Sequence, residues 1–270
     1  MTVSRWAVLA LLVSGLVRGA DQSVPPAPIT TNPADSPARV KSGKVFASTD
    51  ANLPPAIGPV PAKVVVVVFS DFQCPVCRRT ADATVQIPEE FPGEVRVEFW
   101  QHALASHANA ANAAVASLAA QRQGQFWEYH DQLFRNQSAI DPASLARYAD
   151  ELGLDMERFN ADCADPALRA RVDSEGAFAE LFGASSTPAF MVNGKVHIGW
   201  GSWMGFRSDV ERELTEARKL ETEGLSAERI AAQRSQAQIA DAALVAAYDQ
   251  LVLRVPPDEP KKAKTKKKNR

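Results

Sequence analysis

Five consecutive valines, Val64 to Val68, run into Phe69 and then into Ser70-Asp71-Phe72-Gln73-Cys74-Pro75-Val76-Cys77. A β-branched run of this kind has no polar face to turn to water. It therefore reads as a strand buried on both sides, inside a sheet that helices cover on each face. Pro75 holds φ near the helical value and lacks the N–H that a first helical turn leaves unpaired. The spacing thus predicts a helix that begins at Pro75 with Cys74 as its N-cap. Pro88 is expected to kink or end that helix. Phe91-Pro92-Gly93 reads as a turn, and Val95-Arg96-Val97-Glu98-Phe99 alternates as a second strand. Strand, helix and strand make a βαβ unit, which predicts a parallel pair and an α/β class.

Beyond this unit the pattern changes to alanine-rich helical periodicity over residues 107–182. Asp141-Pro142 and Asp155 carry N-cap signals, and Gly183 suits a helix C-terminus. Asn193-Gly194 sits between two short apolar runs and predicts a hairpin. Trp203 to Glu223 and Ala227 to Leu253 read as two helices, separated by Gly224 and with Ser226 as a cap. Ile230, Ile239, Ala243, Leu244, Tyr248 and Leu251 form an apolar stripe on the second, suited to packing on the domain or on a second subunit.

Composition decides the class of partner and the compartment. The net charge is −2, yet the last ten residues hold seven bases and no acid, so residues 1–260 carry −9. An acidic body with a basic tail is a poor nucleic-acid surface. The lysine-rich tail is expected to be a solvated, disordered end rather than a membrane contact. Arg5 followed by an apolar run to Val17, with small residues before Ala20, reads as a cleaved signal peptide. Export would place the chain where disulfides persist.

Cys74 and Cys77 can staple a turn, hold a metal or trade electrons. A structural zinc site needs four ligands. Here one pair is accompanied by a distant Cys163 and by four scattered histidines, His102, His107, His130 and His197. A staple across so short a loop removes little unfolded-state entropy. At an N-cap, by contrast, unpaired N–H groups and the positive end of the helix dipole favour a thiolate. Cys77 lies one turn along, within bonding reach of Cys74. No metal and no organic cofactor is called for.

The segments VVVVVFSDFQCPVC, HANAANAAVASLAAQRQGQFWEYHDQLF and GASSTPAFMVNG resemble the DsbA-like thiol–disulfide oxidoreductases of the thioredoxin superfamily, over roughly residues 45–225. The resemblance implies a thioredoxin-like fold with a helical insertion domain and a C-terminal helical extension. Read from the residues, a signal peptide at 1–19 and a proline-rich linker at 20–44, with an edge strand near Val45-Phe46, precede the thioredoxin domain that the resemblance places at 45–225, with its insertion at about 107–182. A C-terminal helix at 226–254 and a basic disordered tail at 255–270 complete the division. In the family the first cysteine is the exposed, attacked sulfur and the second its resolving partner, roles that fall on Cys74 and Cys77. Thr187-Pro188 matches the family's Thr and cis-proline beside the disulfide, where a substrate strand is held. The implied partners are cysteine-containing exported proteins and a redox partner that resets the pair, in a periplasmic or otherwise exported setting.

The likeness has departures. Where many members carry a buried acid six residues before the first cysteine, this chain has Val68. Pro-Val between the cysteines replaces the Pro-His of strongly oxidising members. Net oxidation is the expected direction. Disulfide reduction or isomerisation, and a non-catalytic thioredoxin-like binding module, are the alternatives. Asp71 is expected to hydrogen-bond the turn, His102 and His107 to lie at the surface or in caps, and Cys163 to act as a buried small hydrophobe. Phe126, Trp127, Leu133 and Phe134 are expected in the insertion core, while Phe72, Trp200 and Trp203 are candidates for an apolar peptide groove.

Overall fold

The computed structural model of the protein describes residues 51–254. The signal peptide, the linker at 20–44, the Val45-Phe46 strand and the basic tail all lie outside them. Among the described residues five strands form one mixed sheet: β1 (Ala56–Ile57), β2 (Val64–Ser70), β3 (Val95–Gln101), β4 (Ala189–Val192) and β5 (Lys195–Ile198), in the order β1-β3-β2-β4-β5. β2 and β3 pair in parallel, Val64 opposite Val95 through Ser70 opposite Gln101, and α1 (Pro75–Glu90) makes the crossover. The other pairings are antiparallel. The expected fold class is the one observed. Pro88 ends α1 only two residues further on. β1 is not among the expected strands: Ala56 and Ile57, near the start of the expected domain, pair antiparallel with β3 and close the sheet edge.

Every residue of β2 is buried, as the valine run requires. Val64, Val66 and Val68 face α1 and α7 (Trp203–Thr222), packing with Ala83, Ile87, Phe206, Val210 and Leu214. Val65, Val67 and Phe69 face the opposite layer, with Trp100, Phe178 and Met191. β3 is also buried throughout, including its two charges, Arg96 and Glu98. Glu98 is within 2.9 Å of Arg96 and 2.6 Å of Arg254, and it accepts the indole N–H of Trp100 at 3.1 Å. Pairing of this kind is what lets charges sit in a core.

The insertion comprises α2 (Ala110–Arg122), α3 (Phe126–Arg135), α4 (Pro142–Glu151), α5 (Met156–Cys163) and α6 (Pro166–Leu181). The small residues of α2 let it run through the middle: Ala110, Ala113, Ala116, Leu118, Ala119 and Ala120 are all buried. Asp141, Asp155 and Asp165 cap the next helices through their carboxylates. Phe126, Leu133 and Phe134 are in the insertion core, with Trp127 packed on its edge. Buried Arg171 and Glu175 on α6 knit the unit to its surroundings. Arg171 donates to the carbonyls of Ala51 and Leu53, and Glu175 accepts the Gln101 N–H at 2.6 Å.

The expected single helix from Ala227 to Leu253 is three elements: α8 (Ala227–Gln238), α9 (Ala242–Tyr248) and a π turn (Asp249–Leu253). Ile239 leaves the helix in an extended conformation, and Asp241 caps a new one by accepting the N–H groups of Ala243 and Leu244. The break lets the chain fold back, so that Ile239, Tyr248, Leu251 and Val252 cover the second sheet face. The stripe thus packs on its own domain, with Ile230 on the α7 side and Ala243 left exposed.

The β4–β5 hairpin has the two positive φ values that Asn-Gly supplies, 44° at Asn193 and 91° at Gly194. A Cβ on Gly194 would meet Ile239 at 2.8 Å. Strain at positive φ and overpacking act together here. Gly194→Ala is expected to lower stability by about 2–3 kcal/mol in denaturant unfolding. An unchanged midpoint would show that the C-terminal segment does not rest on this hairpin.

Candidate active site

Cys74 is the N-cap of α1, with φ −74° and ψ 120°, and Pro75 occupies the first turn. Its N–H donates to the Asp71 carbonyl at 3.1 Å, and its own carbonyl accepts the Arg78 N–H at 3.3 Å. Cys77, one turn on, lies against the sheet. Neither cysteine is bonded, so this is the dithiol form.

The two sulfurs are unequal. Cys77 is fully buried, and burial pushes its thiol up, with the neighbouring Cys74 as the next cause. Cys74 is drawn down to about 5, chiefly by hydrogen bonding from the Cys77 thiol. Burial opposes that shift, while Thr187 and the N–H groups of Cys77 and Val76 add to it. The thiol form makes no cap hydrogen bond of its own. Its Sγ lies 3.4 Å from the Thr187 carbonyl oxygen, to which S–H donates. The buried Thr187 hydroxyl has no partner among the described residues, and it is the donor left over for a thiolate.

Thr187-Pro188 is therefore brought to the cysteine pair, with a cis peptide bond between them. The β2–β4 ladder stops at Phe69 opposite Ala189, so residues 185–187 lie past its end, and Ser185 and Ser186 are exposed. The exposure implied for Cys74 needs correction. Only 5 % of its surface is open, against none for Cys77. Thr187 lies over the sulfur, and from the α3–α4 loop Gln137 donates to the carbonyls of Phe72 and Cys74 at 2.9 and 2.7 Å. Pro75, Arg78 and Arg79 form the exposed rim around it.

Phe72 is not part of a groove. It is buried between Phe99 and Phe134, with ring centroids 5.4 and 5.0 Å away. Trp200 and Trp203 pack half-buried on Phe206. Asp71 does hydrogen-bond the turn, accepting the Gln73 N–H at 2.7 Å. His107 reaches the same carboxylate through Nδ1 at 2.8 Å. His102 is buried rather than at the surface, and burial lowers its pKa. Cys163 is half-buried and faces a cavity of about 410 Å³ with Val115, Leu145 and Phe159; burial raises its thiol to about 11. Gln137 carried no sequence signal, because it lies some sixty residues away, beyond two helices of the insertion. Among the described residues no group of three or more His, Cys, Asp or Glu side chains is placed to hold a metal ion.

These values predict which thiol reacts. Alkylation of the reduced protein is expected to modify Cys74 first, at a rate constant above about pH 6 and falling below pH 5. Cys77 and Cys163 are expected to stay unmodified at neutral pH, as mass spectrometry of the labelled peptides would show. A Cys74 rate that still climbs through pH 8–9 would contradict this.

The family model described as thioredoxin matches residues 51–212. A thioredoxin-like oxidoreductase from Silicibacter pomeroyi is 30 % identical, with a TM-score of 0.54 over 62 % of this chain and 92 % of its own. The oxidised form of BdbD from Bacillus subtilis superimposes with a TM-score of 0.55 at 23 % identity, over 66 % of this chain and all of that one. At that identity it speaks to the fold. An Na(+)/H(+) antiporter NhaA 3 of Salinispora tropica is 39 % identical over 144 residues, 53 % of this chain but 22 % of the antiporter. The chain thus spans about a fifth of the length of such curated relatives. Among the described residues no helix is long and apolar enough to cross a membrane. From the matched residues 51–212, the sheet order and the cysteine pair at the mouth of α1, the chain belongs to the thioredoxin family.

Proposed function

We propose that the protein is a thiol–disulfide oxidoreductase of the DsbA type, that it works outside the cytosol, and that its net direction is oxidation of cysteine-containing proteins. One observation carries the reading: two sulfurs one helical turn apart beside Thr187-Pro188, one lowered at the N-cap of α1 with a small opening to the surface, the other raised and fully buried. A substrate thiolate attacks Cys74 of the oxidised pair, and the electron pair of the broken bond passes to Cys77. A second substrate thiol then attacks the substrate sulfur of the mixed disulfide, leaving Cys74 as a thiolate. A low-pKa leaving group favours that release and stabilises the reduced form, which makes the pair oxidising. Residues 185–187, past the end of the β2–β4 ladder, offer backbone to an incoming strand, a mode that tolerates many sequences. A second redox protein resets the pair.

The sign of the pH effect follows from the same shifts. The unfolded Cys74 titrates near 9 and the folded one near 5, so the thiolate stabilises the reduced fold fully above pH 9, and this is lost as pH falls to 5. Cys77 opposes it only above pH 9. The reduced protein is therefore expected to melt above the oxidised one at pH 7, with the gap closing towards pH 5. Equilibration in glutathione buffers tests the direction. A potential as reducing as that of thioredoxin, about −270 mV, would point to a reductase. The small exposure of Cys74 favours a second reading, a binding module with an inert bridge. That reading requires Cys74→Ser to leave function intact and the thiol to resist alkylation.

A further inference from the structure

Asp71 stands between the end of β2 and the cysteine turn, and its side chain is wholly buried. The carboxylate accepts three donors: the Gln73 N–H at 2.7 Å, the Leu104 N–H at 2.8 Å and His107 Nδ1 at 2.8 Å. A carboxylate only accepts, so this nitrogen of His107 carries its hydrogen. The donors come from two segments, the turn that enters α1 and the 102–109 connector that leads into α2. Gln73 ties the same segments a second time, its Oε1 accepting the Asn109 N–H at 2.7 Å. Held from both sides, the backbone of Asp71 has one orientation. Its own N–H then lies 3.5 Å from Cys77 Sγ. That sulfur has no exposed surface, so water cannot solvate an anion formed there. Val68, six residues before Cys74, is apolar and packed in the core.

We propose that Asp71, locked by His107, is a positioning residue for Cys77: it keeps a backbone N–H aimed at the sulfur that departs when the disulfide opens and attacks when it closes. The inference rests on the thiol–disulfide exchange proposed above. In the opening step a substrate thiolate bonds to Cys74 Sγ, the Cys74–Cys77 bond breaks, and its electron pair resides on Cys77 Sγ without any proton transfer. The Asp71 N–H donates to that new anion, and hydrogen bonds to charged acceptors are the strong ones. In the closing step the Cys77 thiolate attacks Cys74 Sγ, and the visiting sulfur leaves with the electron pair. The same N–H lowers the cost of forming the thiolate in both directions.

Dithiobis(nitrobenzoate) separates the two sulfurs in the full-length reduced chain. The first thionitrobenzoate is released in a second-order step that reads attack by Cys74. The second is released in a first-order step that reads closure by Cys77. Asp71→Asn keeps an oxygen for the Gln73 N–H but sets an NH2 against the Leu104 and His107 donors. It is expected to slow the second release about tenfold while the first stays within about twofold. A second release within twofold of the parent, or equal slowing of both releases, overturns the proposal, since the latter is only general loosening. Thermal melting establishes that the variant is folded. If it is not, His107→Gln, which disturbs one donor of three, is read instead, with about threefold selective slowing expected and equal rates overturning the proposal. A parent chain that gives no second release overturns the exchange reading itself, and this inference with it.

Discussion

Replacing Cys77 with serine is expected to turn the protein into a trap. Cys74 keeps its place at the N-cap and its contact with Thr187, so its thiolate still attacks a substrate disulfide, bonds one substrate sulfur and releases the other as a thiolate. It has lost the sulfur that closes the pair, and covalent adducts accumulate that appear on non-reducing gels and vanish on reduction. Catalysed oxidation of a reduced dithiol peptide should fall by roughly a hundredfold or more, because the disulfide that stores the oxidising equivalent can no longer form. Cys77 also supplies the largest share of the lowering at Cys74, so the remaining thiol of the variant should titrate higher. Cys74→Ser should yield neither adducts nor turnover. Adduct-free Cys77→Ser, or turnover close to the parent's, would sink the assignment of roles.

The second large effect concerns stability. Deleting everything after Gly224 should leave a chain that is unfolded or aggregated at ordinary temperature. α8, α9 and the π turn bring Ile230, Ile239, Tyr248, Leu251 and Val252 into the core, each under a tenth exposed. Without them Val65, Val67, Phe69, Trp100 and Met191 lose a covering layer. Each large apolar side chain is worth roughly 1.5–3 kcal/mol when buried, against a whole-domain stability of about 5–15 kcal/mol. Buried Glu98 would suffer as well, since Arg254 is one of its two cationic partners. A graded test is Tyr248→Ala, expected to cost about 3–5 kcal/mol with the exchange chemistry of Cys74 retained. A truncated chain that melts like the parent would mean the segment is an appendage.

Much of this site was legible in the residues because its determinants are local. A proline one position after a cysteine, and that cysteine after a buried strand, fix the start of α1 through φ restriction and the missing N–H alone. The parallel β2–β3 pair follows from the same short segment. Asn193-Gly194 announced its hairpin because few residue pairs accept two positive φ values in a row. The misreadings came where a local rule met a non-local partner. Arg96 and Glu98 alternate with apolar residues along β3, and what the alternation leaves unsaid is that Arg254, more than 150 residues on, completes an ion cluster that makes their burial tolerable. Phe72 looked available to a peptide because Phe99 and Phe134, its neighbours in space, are distant along the chain.

The placement of the cysteine pair is thus written in about a dozen adjacent residues, since helix capping and strand burial act over a few bonds. How far Cys74 opens to a visitor, which N–H meets Cys77, and what roofs the second face of the sheet depend on Thr187, Gln137, His107 and Tyr248. Those residues converge on the site or the sheet from separate parts of the chain. Their contacts arise from packing, whose distances no spacing along a chain encodes.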